Sequence, residues 1–161
     1  MNRQRLYLAA LVIPIVVCVL SAVASPASAQ DAALSLLIIT PRVDGFEGTF
    51  RSGEATYRLE SYVKEKSYKA RIYRPNGDLL IEARREGEVT FVALPTGQLR
   101  INAMSPVPFS SDEAAAIQAF IKSEDAAIVR QIVYEVITKR KSEARPSVTG
   151  FNVIAMLLGE A

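Results

Sequence analysis

The side chains that could perform acid–base chemistry in this sequence are carboxylates, lysines, tyrosines and hydroxyls. The chain contains no histidine and a single cysteine, Cys18. Neither a Ser-His-Asp triad nor a zinc site of the usual histidine–cysteine kind can therefore be built. The closest grouping of glutamates is Glu82, Glu86 and Glu88. A general acid needs burial to raise its pKa, and these residues lie on or beside an exposed turn. The sequence predicts a non-enzymatic protein without catalytic residues, metal or cofactor.

Five polar side chains form a second group, because together they could bind an anion. They are predicted to share the exposed face of a sheet, with Tyr62 beside them: Arg58, Lys69, Arg71, Tyr73 and Arg100. Guanidinium and ammonium groups pair with carboxylates and phosphates, and a tyrosine ring offers a flat surface for stacking. The alternative is a solvated sheet face whose charges only keep the protein soluble.

Small side chains on the opposite, apolar face could leave room for a ligand. They fall in one predicted cross-strand row: Ser61, Ala70, Ala83, Val89 and Ala103. Such a row either admits a close-packed helix, for which the segment from Ala114 to Ala116 is the candidate, or leaves a cavity of the kind that holds apolar ligands. In the second case the ligand would contact Ala70, Ala83, Phe91 and Ile101.

A β-meander is needed to position both groups, and residues 46–104 alternate apolar and polar with a period of two. Turn residues divide this stretch into six strands. The predicted loops are Ser52-Gly53, a turn around Glu65-Lys66, Asn76-Gly77, Arg85-Glu86-Gly87 and Pro95-Thr96-Gly97. They pair Phe46 with Leu59, Leu59 with Ile72, Ile72 with Ile81, Ile81 with Phe91, and Phe91 with Ile101.

These registers separate an apolar face from a polar face, and every turn agrees on which is which. The predicted apolar face contains Phe46, Phe50, Tyr57, Leu59, Val63, Tyr68, Ile72, Leu79, Ile81, Val89, Phe91, Leu99 and Ile101. The predicted polar face contains Arg58, Glu60, Lys69, Arg71, Glu82, Arg84, Thr90, Arg100 and Asn102. On the polar face, Glu60, Arg71 and Glu82 form a row of alternating charge.

The pattern becomes helical after residue 108. Ser110 followed by Glu113 is a capping box, and apolar residues recur at helical spacing from Ser123 to about Lys141. The basic residues at 139–141 fit a solvated helix end. Residues 148–158 favour a helix over a strand, whereas residues 34–39 fit either. The sequence thus predicts an α+β fold, a six-stranded antiparallel meander with C-terminal helices (residues 110–158) on its apolar face.

The first 29 residues have the three parts of a cleavable signal peptide. Arg3 and Arg5 give a positive start, residues 6–20 form an apolar run, and Ala27-Ser28-Ala29 is a small-residue cleavage site. The apolar run is shorter than the roughly 20 residues of a spanning helix, so no stable transmembrane anchor is expected after cleavage. The sequence predicts that residues 30–161 form one exported domain, periplasmic or extracellular.

The charge balance limits the partners of this predicted domain. The chain carries a formal net charge of +2, and without Arg3 and Arg5 its basic and acidic residues are equal in number. This balance argues against nucleic-acid binding. The sequence therefore indicates a non-catalytic domain that binds an apolar or amphipathic ligand, such as a lipid, between sheet and helices. The alternative is a module that binds an envelope protein or an anionic polymer through its polar sheet face.

Overall fold

Seven consecutive strands pair in chain order to form one antiparallel sheet. The computed structural model describes residues 35–102, 107–141 and 148–159, so the predicted signal peptide lies outside the described residues. The strands are β1 Leu36–Arg42, β2 Gly45–Ser52, β3 Ala55–Lys64, β4 Ser67–Tyr73, β5 Leu79–Glu86, β6 Val89–Leu94 and β7 Gly97–Asn102. Three helices follow, α1 Ser111–Ile121, α2 Glu124–Lys141 and α3 Thr149–Leu157. The α+β class with a meander is confirmed.

The prediction of six strands is wrong by one, because β1 precedes the stretch that alternates clearly. Successive residues of β1 from Leu36 to Ile39 are all apolar, so a period of two is not visible in them. Pro41 lies in this strand, and proline is tolerated there because β1 is an edge strand. The inner side chain Leu37 is buried, while Leu36 and Ile38 are half exposed on the other face.

The registers of the central strands follow the sequence closely. Leu59 faces Ile72 and Ile72 faces Ile81, as predicted. The hairpin of β2 and β3 differs from the prediction, because its loop is Gly53-Glu54 and Phe46 faces Ser61 rather than Leu59. This shift is by two residues, and side chains alternate with the same period. The buried face of β2 and β3 is therefore the predicted one.

The strand β6 is turned over relative to the prediction. Its loop from β5 is Gly87-Glu88, so Phe91 faces Arg84 and not Ile81. The loop to β7 is Pro95-Thr96, so Phe91 faces Arg100 and not Ile101. Both displacements are odd, so the first reverses the face of β6 and the second restores the predicted face of β7. Phe91 and Val89 thus lie on the outer face of the sheet, away from the helices, and Thr90 lies on the inner face, toward the helices.

A β-bulge near the start of β5 explains a second difference. The Arg74 N–H donates to the Asp78 carbonyl at 2.8 Å, so the loop has three residues, Pro75-Asn76-Gly77, with Gly77 at φ +90°. Tyr73 then faces Leu79 while Ile72 faces Ile81, and Leu80 is the extra residue. Leu80 is buried, whereas Leu79, predicted on the buried face, is 41% exposed.

The helices cover the inner face of the sheet, and the predicted helix at residues 148–158 is confirmed as α3. Ser110 and Glu113 form the predicted capping box at the start of α1. The core combines apolar strand side chains with one stripe of each helix: Leu37, Phe46, Phe50, Leu59, Ile72, Ile81, Val92, Leu99, Phe120, Val129, Ile132, Val136, Phe151 and Ile154. In the described part of the chain, none of these helices is long and apolar enough to span a membrane.

Helix side chains form hydrogen bonds with backbone groups on both edge strands of the sheet. On β1, the Lys139 ammonium donates to the Leu37 carbonyl at 2.8 Å. On β7, the Arg100 N–H donates to Glu113 Oε1 at 3.0 Å. Glu113 Oε2 accepts at the same time from the Ser110 N–H at 2.9 Å. A single carboxylate therefore joins the start of α1 to the edge of the sheet.

This double role of Glu113 predicts a pH-dependent stability. Hydrogen bonds from the Ser110 and Arg100 backbone lower the pKa of Glu113 below its ordinary value of 4.5. A carboxyl with a lowered folded-state pKa stabilises the fold fully above its ordinary pKa, and this stabilisation disappears as the pH falls through the folded-state pKa. Glu113→Gln should therefore lower the urea midpoint at pH 7, and the difference from wild type should close at pH values well below 4.5.

Asp112→Asn is the matched control for this prediction, since it removes an acidic charge from the same first turn of α1. It should shift the midpoint at pH 7 less than Glu113→Gln. A difference between Glu113→Gln and wild type that stays constant down to pH 3 would contradict the proposed role of the ionised carboxylate.

Candidate functional site

The predicted row of small residues exists, but a helix fills it. Ser61 faces Ala70 and Ala70 faces Ala83, with Val92 next in the row. Ala70 and Ala83 are fully buried. Above them lies Gly150 of α3, so close that a Cβ on this glycine would lie 2.5 Å from the Ala70 Cβ. The predicted ligand position at these two alanines is therefore occupied by protein.

The helix over this row is α3, rather than the segment from Ala114 to Ala116. In α1, Ala116 packs against the start of β7, where a Cβ on Gly97 would lie 2.9 Å from the Ala116 Cβ. Val89, predicted in the small row, faces outward beside Asn102. Ala103 lies outside the described residues. The small row therefore serves close packing of a helix on the sheet.

The two remaining predicted ligand residues are separated by the sheet. Phe91 lies on the outer face, where the Arg84 guanidinium carbon is 5.2 Å from its ring centroid. Ile101 lies on the inner face and lines an apolar groove of about 290 Å³ between β6, β7 and α3. The other lining residues are Thr90, Phe109, Val153, Met156 and Leu157. Among the described residues, Ile101 lines this groove, whereas Phe91 lies on the opposite face of the sheet.

The walls of this groove are apolar and partly open to solvent. Among the described residues that line it, Thr90 is the one polar residue, and its hydroxyl lies 2.9 Å from the Tyr68 hydroxyl in a buried hydrogen bond. The hydroxyl of Thr90 is therefore already satisfied. Phe109 is 41% exposed and Met156 is 66% exposed, although both are large apolar side chains. Such a surface suits an apolar group that enters from solvent.

On the outer face, three of the five predicted anion-binding residues bind one another through Glu60. Arg58 Nη1 lies 3.1 Å from Glu60 Oε1, and the Tyr73 hydroxyl donates to Glu60 Oε2 at 3.0 Å. Arg58 also covers the Tyr73 ring at 4.1 Å from its centroid. Arg71 donates to Glu82 and extends the network toward β5. Because the Arg58 guanidinium covers the Tyr73 ring, that face of the ring already has a stacking partner within the protein.

Glu82 is buried although it points away from the core, because two guanidinium groups lie over it. Arg71 and Arg84 both pair with this carboxylate. Burial lowers the pKa of Arg71, but the hydrogen bond and charge of Glu82 outweigh it and raise that pKa. Glu60, Arg71 and Glu82 occupy the predicted row of alternating charge, and the contacts within it are those of a structural ion-pair network.

The two remaining predicted residues, Lys69 and Arg100, belong to a neighbouring row with a different composition. From β3 to β7 this row contains Tyr62, Lys69, Arg84, Phe91 and Arg100, each facing the next across the sheet. It is called the basic–aromatic row below. The row contains three cations, two aromatic rings and no carboxylate, and two of the cations, Lys69 and Arg84, are direct neighbours in it. Sequence reasoning placed Arg84 on this face, but it missed Phe91 because β6 was assigned the opposite face.

Arg140 is a polar residue that the sequence analysis placed wrongly. It was expected at a solvated helix end, yet it is 1% exposed and its guanidinium carbon lies 4.7 Å from the Phe46 ring centroid. Phe46 in turn stacks on Phe151 at 5.7 Å. The signal was present in the spacing, because Arg140 follows Val136 by four residues on the buried stripe of α2.

Two further observations bear on function. In the ranges described by the structure, no group of three acidic, histidine or cysteine residues is arranged to hold a metal ion. Comparisons with protein-family models, curated proteins and solved structures found no match.

Proposed function

We propose that this chain is an exported, non-catalytic domain that binds an apolar or amphipathic ligand in the groove between β6, β7 and α3. The observation that carries the proposal is the apolar lining of the groove together with the exposure of Phe109 and Met156 at its mouth. Exposed apolar patches of this kind on a soluble domain commonly mark binding sites.

The size of the groove favours one short apolar chain or ring system. Its volume of about 290 Å³ lies at the lower limit of small-molecule sites, which range from roughly 300 to 1,000 Å³. Because the groove is open on one side, a polar end of the ligand can stay in water while the apolar part contacts Ile101 and Val153. This arrangement supports amphipathic ligands as well as wholly apolar ones.

Export is the second part of the proposal, and its support is the arrangement of residues 1–29. A positive start, an apolar run and an Ala-Ser-Ala exit are the features that signal peptidase substrates share. The first experiment therefore examines protein purified from the exported fraction without detergent. Native mass spectrometry should give the mass of residues 30–161, and an organic extract of the same sample should contain a stoichiometric compound with a short apolar chain or ring system.

The groove itself is tested by filling it. Val153→Phe places a ring in the lining, and it should weaken the binding of a fluorescent apolar probe, N-phenyl-1-naphthylamine, by about tenfold or more, equivalent to about 1.4 kcal/mol. Asn152→Phe is the matched control, because it adds the same ring to the same helix at an exposed position. The measurement is a fluorescence titration of both variants and wild type.

Two results would contradict the proposal. One is an extract without ligand from protein whose probe affinity is also negligible. The other is equal probe affinity for Val153→Phe and Asn152→Phe, which would place probe binding elsewhere on the surface. A mass that includes residues 1–29 would contradict the proposed cleavage of the signal peptide. The groove proposal would then be tested by the probe titration alone.

A further inference from the structure

We propose that the basic–aromatic row on the outer face binds an anionic polysaccharide that lies extended across the strands. This site is independent of the groove, because the row and the groove lie on opposite faces of the sheet. Its cations are Lys69, Arg84 and Arg100, and its rings are those of Tyr62 and Phe91.

The charges in this row are not explained by folding. Lys69 faces Arg84 directly across β4 and β5, and like charges in such a pair destabilise a sheet. Arg84 is balanced along its own strand by Glu82 and Glu86. Among the described residues, neither Lys69 nor the Arg100 side chain forms an ion pair. The row therefore presents two uncompensated cations on a face where neighbouring arginines have carboxylate partners.

The geometry of the row fits a linear chain of anions. Neighbouring strands lie about 4.7–4.9 Å apart, so Lys69 and Arg84 are one strand spacing apart, and Arg84 and Arg100 are two. A polymer with a carboxylate on successive sugars, lying perpendicular to the strands, can meet these cations in sequence. Tyr62, 44% exposed, offers an apolar ring surface beside the cations, whereas the half-buried Phe91 ring supports the Arg84 guanidinium.

Other anionic partners fit this row less well. A nucleic acid calls for a clear excess of basic residues, whereas the whole chain has a formal net charge of only +2. A lipid surface calls for apolar side chains that insert beside the cations, and here the Arg84 guanidinium lies over the Phe91 ring. Uronic acid polymers combine carboxylates with sugar rings, which matches a row of cations and aromatic rings.

The test measures binding of the full chain to polygalacturonate by isothermal titration calorimetry at low salt. Wild type should bind, and the affinity should fall steeply as salt is added. The double variant Lys69→Gln/Arg100→Gln should bind about tenfold more weakly or worse, since hydrogen bonds to charged groups are the strong ones in such a site. Its thermal midpoint should stay the same or rise, because a like-charge pair is removed.

The matched control is Arg51→Gln/Lys64→Gln, which removes two cations from the same sheet face but from other rows. It should bind polygalacturonate as wild type does. Val153→Phe should also bind the polymer normally, which keeps this proposal distinguishable from that of the groove. Equal losses in both double variants would overturn the proposal, and so would absent wild-type binding. Tighter binding to anionic lipid vesicles or to single-stranded DNA than to polygalacturonate would overturn it as well.

Discussion

Replacing Phe46 with alanine should lower the free energy of unfolding by about 3–5 kcal/mol, the range for large aromatic residues in cores. Phe46 is 1% exposed, stacks on Phe151 and lies under the Arg140 guanidinium. The variant loses the buried ring area and leaves a cavity between β2 and the helices. It also takes away the ring against which a buried cation packs, and that contact strengthens when water is excluded.

Urea unfolding followed by circular dichroism measures this effect as a lower midpoint at an unchanged slope. Phe109→Ala removes the same side chain from a position that is 41% exposed, and its effect should stay below about 1 kcal/mol. If Phe46→Ala destabilised the protein no more than Phe109→Ala, the stack between β2 and α3 would not be part of the core.

Gly150→Ala should destabilise the protein by about 1–3 kcal/mol, although alanine is the better helix former by about 1 kcal/mol. The added Cβ would lie 2.5 Å from the Ala70 Cβ and 3.1 Å from the Ala70 nitrogen. These atoms belong to the central strand β4 and cannot rotate away. Relief therefore requires α3 to move off the sheet, which loosens the packing of Phe151 and Ile154.

The complementary change Ala70→Gly should restore part of the lost stability in the Gly150→Ala background. A double-mutant cycle by urea unfolding measures this coupling, which contacting residues show at about 0.5–3 kcal/mol. Asn152→Ala, at an exposed position of the same helix, controls for helix propensity. Stabilisation by Gly150→Ala alone would show that helix propensity outweighs the close contact with Ala70.

The faces of the central strands could be predicted because their apolar residues keep one parity. In β3 and β4, Leu59 and Ile72 alternate with charged residues, so a register error by two residues is harmless. In β6, apolar residues occupy both parities, with Val89 and Phe91 on one and Val92 and Leu94 on the other. The glycines at 87 and 97 fit loops of two or three residues equally well. The local sequence pattern of β6 therefore does not indicate which of its two faces is buried.

The candidate sites were harder to predict than the fold, because each depends on contacts between distant parts of the chain. The small row at Ala70 and Ala83 follows from strand pairing and was found. Its covering residue, Gly150, is far away in the sequence, and no local pattern marks it as the partner. The groove likewise combines Ile101 from the sheet with Val153 and Met156 from the last helix. The polar face was predicted apart from β6, where Phe91 rather than Thr90 lies on that face.

The contacts of Lys139 and Glu113 with the two outermost strands have a consequence for the order in which the protein is built. On each edge strand, one backbone group is bound by a side chain that follows all seven strands in the sequence. During synthesis the meander is complete before either side chain has been made. A nascent chain that ends before residue 110 therefore presents two bare edges, to which another copy can add a strand. Synthesis of α1 supplies the bond to the β7 edge, and the end of α2 supplies the bond to the β1 edge.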